Sequence, residues 1–140
     1  MSKSRGICFC VIVAVMFPFS AHAQRTTRWG CGAGCAIEWT ELSARKDMGD
    51  GWWKVLIRSQ VLLRLPGESG WRKANPDEWR GEVSSQYWIF AQCRKGLLGS
   101  GTSSDRSDAE TTSVFRGDGT KKDTSVDGNV HGKWEYVCLD

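Results

Sequence analysis

Val83-Ser84-Ser85-Gln86-Tyr87-Trp88-Ile89-Phe90-Ala91-Gln92-Cys93-Arg94 is the stretch that decides the fold class. In an extended chain Tyr87, Ile89, Ala91 and Cys93 fall on one face, and Trp88, Phe90 and Gln92 on the other. Both faces are largely apolar. Such a strand is expected at the centre of a sheet, covered on both sides over part of its length.

Working outward, residues 52–65 form the most apolar run beyond the first 23 residues. Its length and its leucines (Leu56, Leu62, Leu63, Leu65) suit a helix. Its tryptophan, valine and isoleucine content, the bounding Gly51 and Pro66, and the Ser59-Gln60 interruption suit extended chain. The expectation is two strands, residues 52–58 and 61–65, or one bent strand. Asp50-Gly51 just before it signals a hairpin, preceded by a first strand at residues 36–42. Residues 66–81 carry Pro66-Gly67, Ser69-Gly70 and Asn75-Pro76-Asp77. They read as a turn-rich excursion, with a short helical turn starting at Pro76. Residues 95–122 are polar, with one apolar pair, Val114-Phe115, suited to a short strand. In residues 129–139, Trp134, Tyr136 and Cys138 alternate with Lys133, Glu135 and Val137, which predicts a closing strand. Residues 24–29 are polar and read as a flexible lead-in. The sum is an all-β or mainly β domain, a small disulfide-stapled sandwich or partly open barrel.

The first 23 residues read differently. Lys3 and Arg5 precede an apolar run at residues 7–19, followed by Ala21-His22-Ala23, a small-x-small cleavage site. The run is shorter than the roughly 20 residues a membrane span takes. The expectation is a cleaved signal peptide at residues 1–23, then one small β-domain at residues 24–140, exported to the periplasm or secreted, with no membrane span after cleavage. The whole chain has a net charge of +3. Without Lys3 and Arg5 it holds 17 basic and 16 acidic residues, near neutrality. Nucleic-acid partners normally meet a basic stripe, so none is expected.

Of the six cysteines, Cys8 and Cys10 lie in the apolar run. Cys31, Cys35, Cys93 and Cys138 remain, and an even number in an oxidising compartment predicts two disulfides. Glycines around Cys31 and Cys35 favour Cys31–Cys35 with Cys93–Cys138; Cys31 and Cys35 each crossing to a later cysteine is the rival pairing. One close C-x3-C pair with two isolated cysteines, in an oxidising compartment, argues against zinc, and a redox C-x-x-C is absent. The acid groups Asp105, Asp108, Glu110 and Asp118, Asp123, Asp127 do not match an EF-hand loop. No metal or cofactor is expected.

All eight tryptophans lie beyond residue 23. Trp39, Trp88 and Trp134 sit in expected strands and read as core. Trp52 and Trp53 are adjacent and must face opposite ways. Trp71 and Trp79 sit in the excursion, each beside an arginine, Arg72 and Arg80. These four are the candidate binding residues, suited to stacking on a sugar or anchoring a protein interface. Catalysis has little support. His131 is the one histidine after residue 23, there is no G-x-S-x-G, and the cysteines are spoken for. The reading is a monomeric, non-enzymatic exported binding module for a protein or an envelope glycan, with an enzyme inhibitor as one version. The alternatives are a small carboxylate-dependent hydrolase and a structural envelope protein without a discrete ligand.

Overall fold

A computed structural model of the chain describes residues 24–124 and 127–139. The signal-peptide reading therefore lies outside the described residues. Eight strands form one curled antiparallel sheet, a half-barrel. They are β1 (Thr26–Gly32), β2 (Cys35–Glu41), β3 (Lys46–Gly49), β4 (Trp52–Leu63), β5 (Arg72–Lys73), β6 (Ser84–Gln92), β7 (Leu97–Gly101) and β8 (Glu110–Ser113). A helix, α1 (Val130–Cys138), closes the described chain. The sheet order is β1-β2-β4-β6-β7-β8, with β3 and β5 paired to the two ends of β4. This is the mainly β domain that the patterning predicts, and of its two architectures, sandwich and partly open barrel, it is the second.

β6 is central as expected, paired with β4 along nine positions and with β7 along five. β4 is one unbroken strand. Ser59 and Gln60 do not interrupt it, because they pair with Ser85 and Ser84 on one side and with Trp39 and Glu38 on the other. The Gln60 amide also donates to the Val83 carbonyl at 3.0 Å. The β3–β4 hairpin turns at Asp50 (φ 54°) and Gly51 (φ 79°), the positive pair that matches strand twist. The helical turn at Pro76 is present as the 3-10 turn Pro76–Glu78.

The concave face carries the main core. Trp39, Val55, Ile57, Ile89, Ala91 and Leu98 from the sheet pack with Val114, Tyr136 and Val137. Farther along the same face Cys35, Val61 and Leu63 meet Ala74, Trp79 and Val83 of the excursion. Ile37 packs against both groups. On the convex face Phe90 is fully buried. The loop after β7 folds toward that face: the Ser104 carbonyl accepts from Lys54 at 2.7 Å, and the Arg106 guanidinium lies 3.7 Å from the Trp52 ring centroid.

Two expectations fail at the ends of the chain. The predicted closing strand is α1. Val130, Trp134, Val137 and Cys138 are spaced by four, three and one, so they share a helical face as readily as a pleat, and nine residues cannot separate the two periods. The tertiary setting decides for the helix. Asp123 accepts from the Gly132 N–H at 3.0 Å, Cys138 is tied to Cys93, and Trp134 donates to the Gln92 carbonyl at 3.1 Å. The supposed lead-in is β1, whose Trp29 turns inward against Trp39 and Tyr136.

The cysteine pairs are Cys31–Cys35, with Cα atoms 5.1 Å apart, and Cys93–Cys138, at 5.6 Å. Among the described residues no helix is long and apolar enough to cross a membrane.

Candidate functional cleft

The concave face is not covered along its whole width. Between the start of α1 and the β1–β2 hairpin lies an open cleft of about 700 Å³. Its floor is Ile37, Trp39, Ser59 and Tyr87. One wall is Trp29 with the Gly30–Gly32 segment, and the other is Asp123, Thr124, Gly128, Asn129 and Lys133. A recess of about 250 Å³, lined by Ile89, Leu98, Gly99 and Ser100, shares Trp39, Tyr87 and Lys133 with it. Lys133 thus stands where the two hollows meet.

The register explains the floor. Ser59 lies directly opposite Trp39 on β2, and Tyr87 lies opposite Ile57. Ser59 is the small side chain in an inward row that otherwise reads Trp53, Val55, Ile57, Val61 and Leu63, and the hollow opens above it. Trp39 and Tyr87 meet edge to face at 6.3 Å. Burial pushes the Tyr87 phenol up, while hydrogen bonds with Ser59 and Trp39 work in the opposite direction.

Two charged groups line this cleft. Asp123 is engaged: besides the Gly132 N–H, its second oxygen lies 3.7 Å from His131 Nδ1. Lys133 is half-buried. Its ammonium lies 5.4 Å from the centroid of the Trp39 ring, and burial lowers its pKa. No family model, curated protein or solved structure matches this chain.

The four residues singled out from the sequence have separate surroundings. Arg72 makes a two-pronged ion pair with Glu78, 2.7 Å on each prong, and a second pair with Glu68 at 3.2 Å. Glu78 is drawn down to about 2 by Arg72 and by the Asn75 N–H. Trp79 packs against the second group of core residues, and Arg80 is exposed. Trp71 is half-exposed, with the guanidinium carbons of Arg64 and Arg28 at 4.9 and 5.9 Å from its ring. Four of the six acids considered for calcium staple loops instead. Asp108 accepts from the backbone of Thr102 and Ser103, Asp105 from Ser107, Asp118 from Thr120, and Asp127 pairs with Arg116. No group of three metal-type ligands exists among the described residues.

The cleft residues escaped the sequence reading because each had a bland account. Trp39 and Tyr87 read as core, and Lys133 as the polar face of a strand. The available signal was Ser59, a small polar residue in the middle of an apolar strand.

Proposed function

We propose that this chain is an exported, non-enzymatic binding module whose ligand enters the cleft between the concave sheet face and α1. The observation that carries this reading is a hollow of about 700 Å³ floored by Trp39, Tyr87 and Ile37. Ligand sites are typically concave, mostly apolar, and of this size. Two disulfides and the signal-like start of the chain support an oxidising destination. A carboxylate hydrolase needs a second acid or base facing the first. Asp123 is the one carboxylate among the described lining residues, and α1 already holds it.

A second reading is favoured by Trp71, which lies half-exposed between two arginines and suits a protein or glycan partner at the excursion. One titration separates the two. Tryptophan fluorescence of the purified, oxidised protein is followed against soluble glycans, including peptidoglycan fragments. A saturable shift lost in Ser59→Phe, which fills the hollow, and kept in Trp71→Ala supports the cleft. The reverse pattern moves the site to the excursion.

A further inference from the structure

Lys133 is treated differently from the other cations around α1. Arg25 donates to the Tyr136 carbonyl at 2.6 Å and pairs with Glu41 at 3.2 Å. Arg45 donates to the Val137 carbonyl, and Arg116 pairs with Asp127. Each of these ties the helix or the segment before it to the sheet or to itself. The Lys133 ammonium has no hydrogen bond and no ion pair among the described residues; its one close attraction is the Trp39 ring.

A half-buried charge without a counter-ion is unfavourable, because water's solvation is lost and nothing replaces it. A lysine serving only to cover apolar surface would keep its head in water. The groups facing Lys133 from each packed element are few. From the segment before α1 comes Asp123, occupied by Gly132 and near His131. On α1 itself Glu135 lies 3.2 Å from His131 and 3.5 Å from Lys121. The sheet lines the two hollows with apolar side chains, Ser59, Ser100 and the Tyr87 phenol; its buried carboxylate on the Trp39 row, Glu41, pairs with Arg25.

We propose that the cleft receives a small ring-bearing carboxylate, with the Lys133 ammonium as its anion partner and the Trp39–Tyr87 floor beneath its ring. This rests on the cleft reading above and names the ligand class for it. One ammonium, with no arginine fork beside it, suits a single negative charge better than a phosphate dianion. The apolar floor suits a ring rather than a short acid, since the ring supplies the buried area. A neutral sugar would displace water from the ammonium and offer it no charge in return. Aromatic acids and sugar acids share this chemistry, so both belong in the test.

Calorimetric titration of the purified, oxidised protein uses two matched pairs: naphthoate against naphthamide, and N-acetylmuramic acid against N-acetylglucosamine. In at least one pair the acid binds about tenfold or more tighter than its neutral match, the scale of one charged hydrogen bond. The pair that shows the gap identifies the source. Lys133→Gln removes the gap by weakening the acid's binding, and Lys133→Arg restores part of the gap. Because burial lowers the Lys133 pKa, the acid's affinity falls on alkaline titration earlier than an ordinary lysine would dictate, and Lys133→Gln flattens that profile. Equal binding of acid and neutral partner, or a gap that survives Lys133→Gln, overturns this proposal while the cleft reading stands. No binding by either pair also overturns this proposal, whereas binding of acid and neutral compound that is indifferent to Ser59→Phe overturns both.

Discussion

The ammonium of Lys133 and the ring of Trp39 face each other at 5.4 Å across the concave side of the sheet, and among the described residues the ammonium has no ion-pair partner. An arrangement kept for a ligand should be a burden to the empty protein. Replacing Lys133 with Met keeps the stem's apolar contacts and removes the buried charge. Because burial lowers the folded-state pKa, the penalty is fully present below that pKa. It fades as pH rises toward the unfolded value of about 10.4. Lys133→Met should therefore be more stable at neutral pH, by about 1 kcal/mol, the usual gain from removing one unfavourable feature. The advantage should shrink in alkali. Urea unfolding of both proteins at neutral and alkaline pH measures it. A less stable variant would mean that the lysine is held by something other than the ring.

The excursion has its own pH dependence. Arg72 and the Asn75 N–H hold Glu78 down to about 2, so the folded state binds its proton less readily than the unfolded chain. The stabilisation is present above the ordinary carboxylate range near 4.3 and is lost as pH falls toward 2. Thermal melting should show Glu78→Gln below the parent at neutral pH, with the two curves converging in acid. Parallel curves throughout would place the bridge among exposed pairs of no consequence.

The two disulfides close loops of very different length. Cys93–Cys138 spans 45 residues and Cys31–Cys35 spans 4. In the chain-entropy account, removing the first costs about 4 kcal/mol and the second about 2. Removing the first also frees the C-terminus of α1 from β6, so it should loosen the cleft wall. Paired Cys→Ala variants, compared by denaturant midpoint and by naphthoate affinity, test this. Loss of affinity in the Cys31–Cys35 variant alone would locate the critical wall at the β1–β2 hairpin instead.

The sequence announced the sheet through strands buried on both sides or on one. β4 and β6 carry apolar residues on a pleat of two, and the turns around them are built from Asp50-Gly51 and Asn75-Pro76. It was silent where strands lie at the edge. β8 reads Glu-Thr-Thr-Ser and is exposed throughout, so no alternation marks it. β1 shows its inward row only through Thr27 and Trp29. α1 is not legible in its own residues because its order comes from partners outside it: Asp123 in the segment before it, and the distant Gln92 and Cys93. The cleft was hidden for the same reason. Trp39, Ser59, Tyr87 and Lys133 come from β2, β4, β6 and α1, and nothing local in any of them points to the others. The tryptophans of the excursion stand out in the sequence because they lie in a loop. The fold uses Trp79 as packing and sets Trp71 between arginines.

The convex face supplies a last test. Trp52, Lys54, Trp88 and Phe90 share that face, and Phe90 pairs across the sheet with Gly99, which brings no side chain to cover it. The loop after β7 reaches that face through its Ser104 carbonyl on Lys54 and its Arg106 on Trp52, and its shape is held by Asp108 accepting from Thr102 and Ser103. The Thr102 hydroxyl, and after it the Ser103 and Thr102 N–H groups, keep the Asp108 carboxyl below its usual range. Asp108→Ala should let the loop lift. The Arg106 cation then leaves Trp52, tryptophan emission shifts to the red, and trypsin cleaves at Arg106 faster. Phe90→Ala acts on the same face from beneath and should cost about 3–5 kcal/mol as a buried aromatic truncation. If Asp108→Ala leaves emission and cleavage unchanged while Phe90→Ala shows its full cost, the sheet's twist and neighbouring strands bury Phe90 without the loop.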